Sequence, residues 1–214
     1  MVGVLTKIGE YIVIWRWGMD INCLIFDDFE TLDLFGPVEV FGKIEECCIK
    51  YFSMHGGKIT NKDNVQIITE NLNQIDKYDV LIIPGGKGIR MLVNDVEFAK
   101  KLKIVAGKML WCLTVCTGSA LLAKTGLLDG FEATSNKMAF EWVKTSGKNV
   151  KWKYKARWVV DNKYYTSSGI SAGIDMSLGF VCDNFGEEKA REITKRMEYV
   201  WNNNKNDDIF ALLK

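Results

Sequence analysis

Cys116 stands where an apolar run, MLWCLTVC, gives way to Thr117, Gly118 and a helical pattern. A cysteine placed between a buried strand and a helix's first turn faces unpaired backbone N–H groups and the positive end of the helix dipole. Both favour thiolate over thiol. Gly118, two positions on, supplies the small residue that a tight strand-turn-helix junction needs. That pattern predicts a nucleophile with a pKa below the ~8.5 of a free cysteine, alkylated ahead of Cys23, Cys112 and Cys182. The competing reading is a small core residue, which suits Cys112, in mid-run with no turn beside it.

A thiolate that attacks carbon also needs a group to deliver and take protons, and somewhere to place negative charge. Asp27, Asp28, Glu30 and Asp33 crowd one segment near the start, and residue type alone does not choose among them. An aspartate at a helix start also serves as a cap. Gly85, Gly86 and Thr117 offer backbone amides that no side chain shields, suited to a developing negative charge. Gly86-Lys87-Gly88 lacks both the Walker context and the dinucleotide fingerprint, so no nucleotide is expected.

These residues need a frame. INCLIF (21–26), CCIKYFSM (47–54), DVLIIPGG (79–86) and MLWCLTVC (109–116) read as strands, the last two as strands buried on both faces. VQIITE (65–70) pairs in a hairpin with GGKIT. Helical spacing covers 31–46 and 95–106, resumes near Thr117, and returns over 172–184 and 187–202. Alternation of this kind predicts an α/β three-layer sandwich, flavodoxin-like, with a mostly parallel central sheet and helices on both faces. VKWKYKARWVVDNKYYTSSG alternates with period two around a DN turn, and reads as an appended β-hairpin. NNNKNDD reads as a loop before a terminal turn.

Composition bounds the function. The chain has 214 residues, 48% of them hydrophobic, enough for one substantial core, read as a single domain over 19–214. Residues 1–18 read as an appended arm or an overlong start-site assignment, because Glu10 and Arg16 interrupt their apolar stretch and no cleavage pattern follows. With 28 basic against 27 acidic residues there is no basic field for a nucleic acid. No stretch reaches the roughly 20 apolar residues of a membrane span. The six cysteines lack CxxC spacing and the single histidine is His55, so no metal site is expected. The cysteines read as reduced thiols of a cytoplasmic protein.

PGGKG after a buried strand, VCTGSALLAKTGLLDGFEATS and SSGISAGIDMSLGFV, in this order, resemble the ThiJ/PfpI superfamily, whose fold is that of class I glutamine amidotransferases. LDLFGPVEVF, CTGS and GISAGID are similar to its isocyanide hydratase branch, over roughly residues 20–200. The resemblance implies Cys116 as nucleophile, Asp33 as acid/base carboxylate and Thr117 as a further catalytic residue, with Gly85, Gly86, Gly118 and Ile170 against the substrate. It further implies a small-molecule substrate, no cofactor and a homodimer. Related branches imply a thiol or ligand sensor, or glyoxalase-like handling of small aldehydes.

The chain departs from its relatives twice. Thr117 follows the cysteine where amidotransferases and PfpI-type peptidases keep a histidine. Thr134-Ser135-Asn136-Lys137 stands where many relatives of the branch carry threonine-threonine-histidine-tryptophan, and Asn136 hydrogen-bonds but does not shuttle protons near neutral pH. Ala172 and Gly173 read as close packing and Asp175 as a capping or structural carboxylate.

Overall fold

The aliphatic runs become the central strands of one sheet. The computed structural model describes residues 4–8, 11–15 and 18–212. Val4–Ile8 (β1) and Tyr11–Trp15 (β2) pair antiparallel as a hairpin of their own. The rest of the arm expected over 1–18, apart from Gly18, lies outside the described residues.

The elements that follow are Met19–Leu24 (β3), Thr31–Phe41 (α1), Cys47–Ser53 (β4), Gly57–Thr60 (β5), Gln66–Asn71 (β6) and Val80–Ile83 (β7). Next come Ile89–Leu92 (α2), Val96–Lys108 (α3), Trp111–Thr114 (β8), Gly118–Lys124 (α4), Glu132–Ala133 (β9) and Phe140–Lys144 (α5). Lys151–Trp152 (β10), Trp158–Asp161 (β11), Tyr164–Ser167 (β12), Ala172–Phe185 (α6) and Glu187–Arg196 (α7) complete the set.

The main sheet has eight strands in the order β11, β12, β8, β7, β3, β4, β6, β5. The six inner strands run parallel and the two outermost are antiparallel to their neighbours. Helices α1, α6 and α7 pack with one another, as do α2, α3 and α4, covering the two faces. Strands β3, β7, β8 and β12 are buried along their whole length; β7 is wholly aliphatic, while β3 buries Asp20 and Asn22 and β12 buries Thr166 and Ser167. Phe180 on α6 anchors one layer, meeting Phe41, Trp111 and Tyr165 edge-on with centroids 5.6, 5.4 and 5.2 Å away.

Three elements differ from expectation. The hairpin is narrower than its alternating stretch, and β12 pairs with β8, so it extends the main sheet. Lys151 and Trp152 pair instead with β9 in a separate two-stranded sheet. Helix α1 stops at Phe41, and Gly42 turns the chain toward β4. Helix α7 stops at Arg196, and Glu198 takes φ 49°, turning the chain back across the molecule. Among the described residues no helix is long and apolar enough to cross a membrane.

Candidate active site

From β3 the chain runs outward to β4 and β6, then returns to β7 on the other side of β3. Loops following strands that flank such a reversal splay apart and leave a crevice. The loops after β7 and β8 carry Gly85 and Gly86, and Cys116, and the loop after β3 leads into the first turn of α1 that carries Asp33, so the predicted residues meet there.

Cys116 lies between β8 and α4 with φ 56°, a left-handed conformation uncommon for a residue with a Cβ. Its neighbours hold it there. Its N–H donates to the Ser168 carbonyl at 3.0 Å, and its own carbonyl accepts from Ser135 Oγ at 2.7 Å and Ser119 Oγ at 3.3 Å. Gly118 is required by space, because a Cβ there would sit 2.3 Å from the Ile83 carbonyl oxygen.

Asp33, in the first turn of α1, is 0% exposed. Its Oδ2 accepts the Gly85 N–H at 2.9 Å, and a Cβ on Gly85 would stand only 2.7 Å from that oxygen. The same strand-end loop is tied to the segment before α1 by the Glu30 N–H donating to the Gly85 carbonyl at 2.9 Å. The carboxyl of Asp33 and the thiol of Cys116 lie close enough to shift each other's ionisation, and among the described residues Asp33 Oδ1 is buried without a hydrogen-bond partner. Asp33 carries its carboxyl deep among apolar groups, and burial raises its pKa to about 7 against the opposing Gly85 hydrogen bond.

Cys116 is only 7% exposed, and its thiol behaves differently from the sequence expectation. Burial pushes its pKa up, and the charge of Asp33 pushes it further, while the Thr117 backbone N–H and the Asn136 side chain pull it down. The helix end does not win, because α4 has only seven residues and the sulfur has lost most of its water. Burial raises Cys112 as well, to about 12, and also raises Cys23 and Cys182.

The amides expected to face substrate are differently employed. Gly85 N–H goes to Asp33, Gly86 N–H donates to Thr117 Oγ1 at 3.2 Å, and Gly118 N–H donates to the Val115 carbonyl at 2.9 Å. These three glycines therefore shape the site, and Thr117 N–H is the amide that reaches the sulfur. Ile170 is exposed at the rim of a cleft of about 300 Å³ that Asn136, Ser168 and Gly169 also line.

In the sequence Asn136 reads only as a departure from relatives, and its interaction with the Cys116 thiol emerges from the fold. Its Oδ1 accepts the Ala139 N–H at 3.0 Å, which turns the amide nitrogen toward the thiol. His55, by contrast, is exposed in the turn between β4 and β5. Gly173 packs as expected, since a Cβ would meet Val115 at 2.7 Å. Asp175 is not the cap of α6. It is the hub of a buried cluster, accepting from Arg157 Nε at 2.6 Å, Tyr199 OH at 3.0 Å and the Asn202 N–H at 3.0 Å. Among the described residues no group of three or more histidine, cysteine or acidic side chains is placed to hold a metal.

A buried cysteine at a left-handed turn between strand and helix, on a doubly covered parallel sheet, defines a class of α/β proteins, and residues 19–182 match the DJ-1/PfpI family. The chain belongs to that family. It is 28% identical over 183 residues to an isonitrile hydratase of Pseudomonas putida, covering 85% of this chain and 79% of the relative. It is 26% identical over 194 residues to the HTH-type transcriptional regulator GbdR of Pseudomonas aeruginosa, covering 87% of this chain but 52% of that protein, so it spans about half of the regulator. A ThiJ/PfpI family protein from Pseudomonas syringae superposes with a TM-score of 0.78 at 26% identity, covering 86% of this chain and 76% of that one.

Proposed function

We propose that the protein is a cofactor-independent hydratase that converts a small isocyanide to an N-formamide, with Cys116 as nucleophile and Asp33 as the proton carrier. The observation that carries the reading is the fully buried Asp33 carboxyl, raised to about 7, beside the Cys116 thiol whose ionisation it shifts. A carboxyl titrating near neutrality both gives and takes protons at working pH. The similarity to the isonitrile hydratase supports the substrate class.

The resting pair keeps its proton on sulfur, because the thiol is raised above the carboxyl, and the cycle starts when the Asp33 carboxylate takes that proton and frees the thiolate. The sulfur bonds to the terminal carbon of the isocyanide, and that carbon takes the Asp33 proton, giving a thioimidate. Asp33, now a carboxylate, draws a proton from water as the hydroxyl adds to the same carbon, and passes the proton to nitrogen. In the collapse the hydroxyl proton returns to Asp33, the carbonyl forms, the C–S bond breaks and the N-formamide leaves. Thr117 N–H and the Asn136 amide steady the sulfur whenever it carries charge.

Formamide production from cyclohexyl isocyanide by reduced protein, set against Cys116→Ala, tests this directly. Turnover that disappears in the variant is expected, and no turnover by the reduced wild type would sink the assignment. The homodimer belongs to the same proposal and is checked by sedimentation.

A ligand- or thiol-sensing module is the second reading, favoured by the similarity to GbdR. Mild peroxide followed by mass spectrometry separates the two. Oxidation confined to Cys116 in a protein without turnover favours the sensor, and oxidation scattered over the cysteines counts against it.

A further inference from the structure

The cleft lined by Asn136 and by Ser168, whose carbonyl accepts the Cys116 N–H, is walled by a part of the chain that lies beyond the family match, which ends at residue 182. After α7 the chain crosses back, and Tyr199, Trp201 and Asn202 fasten it to Asp175. Six residues later Asp208, 1% exposed, fixes the strap again. Its N–H donates to the Lys155 carbonyl at 2.7 Å, its Oδ2 accepts from Ser168 Oγ, and its Oδ1 caps the turn at Ile209–Ala211 by accepting the Phe210 N–H at 3.2 Å. This turn delivers Phe210 to the cleft, which Asn136, Leu32, Met138 and Ile170 also line.

All four of those apolar side chains are partly or largely exposed, Phe210 by 49%. Large apolar groups gathered round one concavity mark a surface that something apolar covers. Asn136, which interacts with the Cys116 thiol, and Ser168, whose carbonyl accepts the Cys116 N–H, both line the cleft, and the occupant this placement suits is the part of the substrate beyond its reacting carbon.

The charged residues of the cleft decide its sign. Lys137 and Arg157 face it, but neither is available to an anion. Arg157 bonds Asp175 and lies 3.5 Å from Asp208 Oδ1. Lys137 Nζ lies 3.8 Å from Asp208 Oδ2 and donates to Ala156 O at 2.7 Å, Thr134 Oγ1 at 3.0 Å and Ser135 O at 3.4 Å. Two cations against Asp175 and Asp208 leave the cluster balanced, so a charged substituent would lose its water without gaining a partner.

We propose that this cleft selects substrates whose substituent is uncharged and apolar, and that Phe210 is the specificity-determining residue that contacts it. The proposal rests on the hydratase reading for its substrate, but its charge selectivity is a property of access to the thiol. Two measurements therefore test it. In the first, alkylation of Cys116 by neutral iodoacetamide and by anionic iodoacetate is followed by mass spectrometry, each rate normalised to the exposed Cys48 in the same molecule. The neutral reagent is expected to be favoured at Cys116 by about tenfold or more relative to Cys48. Equal normalised rates, or failure of both reagents to reach Cys116, would overturn the proposal.

In the second, Phe210→Ala is expected to raise KM for cyclohexyl isocyanide about tenfold and to lower the kcat/KM preference for cyclohexyl over methyl isocyanide by a similar factor. An unchanged KM for the larger substrate would overturn the role of Phe210. Absence of all isocyanide turnover in the wild type would instead remove the substrate assignment, with the alkylation comparison still deciding the selectivity of the cleft.

Discussion

Asp33 and Cys116 are coupled unequally: burial raises both groups, the carboxylate's charge adds to the cost of the thiolate, and the neighbouring thiol in turn favours the carboxylate. A single proton between them relieves the conflict. With the proton on Asp33 its charge vanishes, and the carboxyl joins Thr117 N–H and Asn136 as a donor to sulfur.

Asp33→Asn therefore separates two properties that usually fall together. The amide oxygen still accepts the Gly85 N–H, and the charge that disfavours thiolate is gone. Cys116 should be alkylated by iodoacetamide faster than in the wild type at pH 8, while isocyanide turnover falls about 100-fold or more for want of a proton carrier. Slower alkylation in the variant would contradict the electrostatic part of this picture.

The same residue makes stability depend on pH. Its folded pKa, about 7, lies above the ordinary 3.8, so the folded state holds the proton more tightly than the unfolded chain. Its contribution to stability is complete below about pH 4, declines as pH rises between about 4 and 7, and is lost above that, up to about 4 kcal/mol. Urea denaturation across this range should show the decline in the wild type and a flatter profile in Asp33→Asn.

Asn136→Ala removes a donor held on the sulfur by the Ala139 N–H. Hydrogen bonds to charged groups contribute about 1.5–3 kcal/mol, so turnover should fall roughly 10- to 100-fold. The thiol pKa should rise, read from the pH dependence of alkylation, with the melting temperature little changed.

Asp175→Ala would leave Arg157, 7% exposed, short of its closest partner and free Tyr199 and Asn202 of the strap from their anchor. Breaking a buried ion pair on one side typically costs about 3–5 kcal/mol. Chemical denaturation should register that loss, and KM for larger isocyanides should rise because Phe210 loses its mooring.

Periodicity and run length determined most of the frame. The aliphatic runs around Leu81 and Leu113 needed no partner to be read as buried strands, and Gly85, Gly86 and Gly118 marked the turns that end them. Local pattern also drew attention to Cys116, because a strand-to-helix junction is written in contiguous residues. What it did not contain was solvent. Only the packed structure places the sulfur 7% exposed and beside a buried carboxyl, and this reverses the expected direction of its pKa. The partnership of Asn136 with Cys116, twenty residues apart, depends on how the loop after β9 is laid against the elbow. So does the end of α7, where helical periodicity continues past Arg196 but capture of Tyr199, Trp201 and Asn202 by Asp175 draws the chain away. Short-range preference sets which segments are strand or helix; desolvation and long-range hydrogen bonds, which arise only when distant segments meet, set what their side chains do.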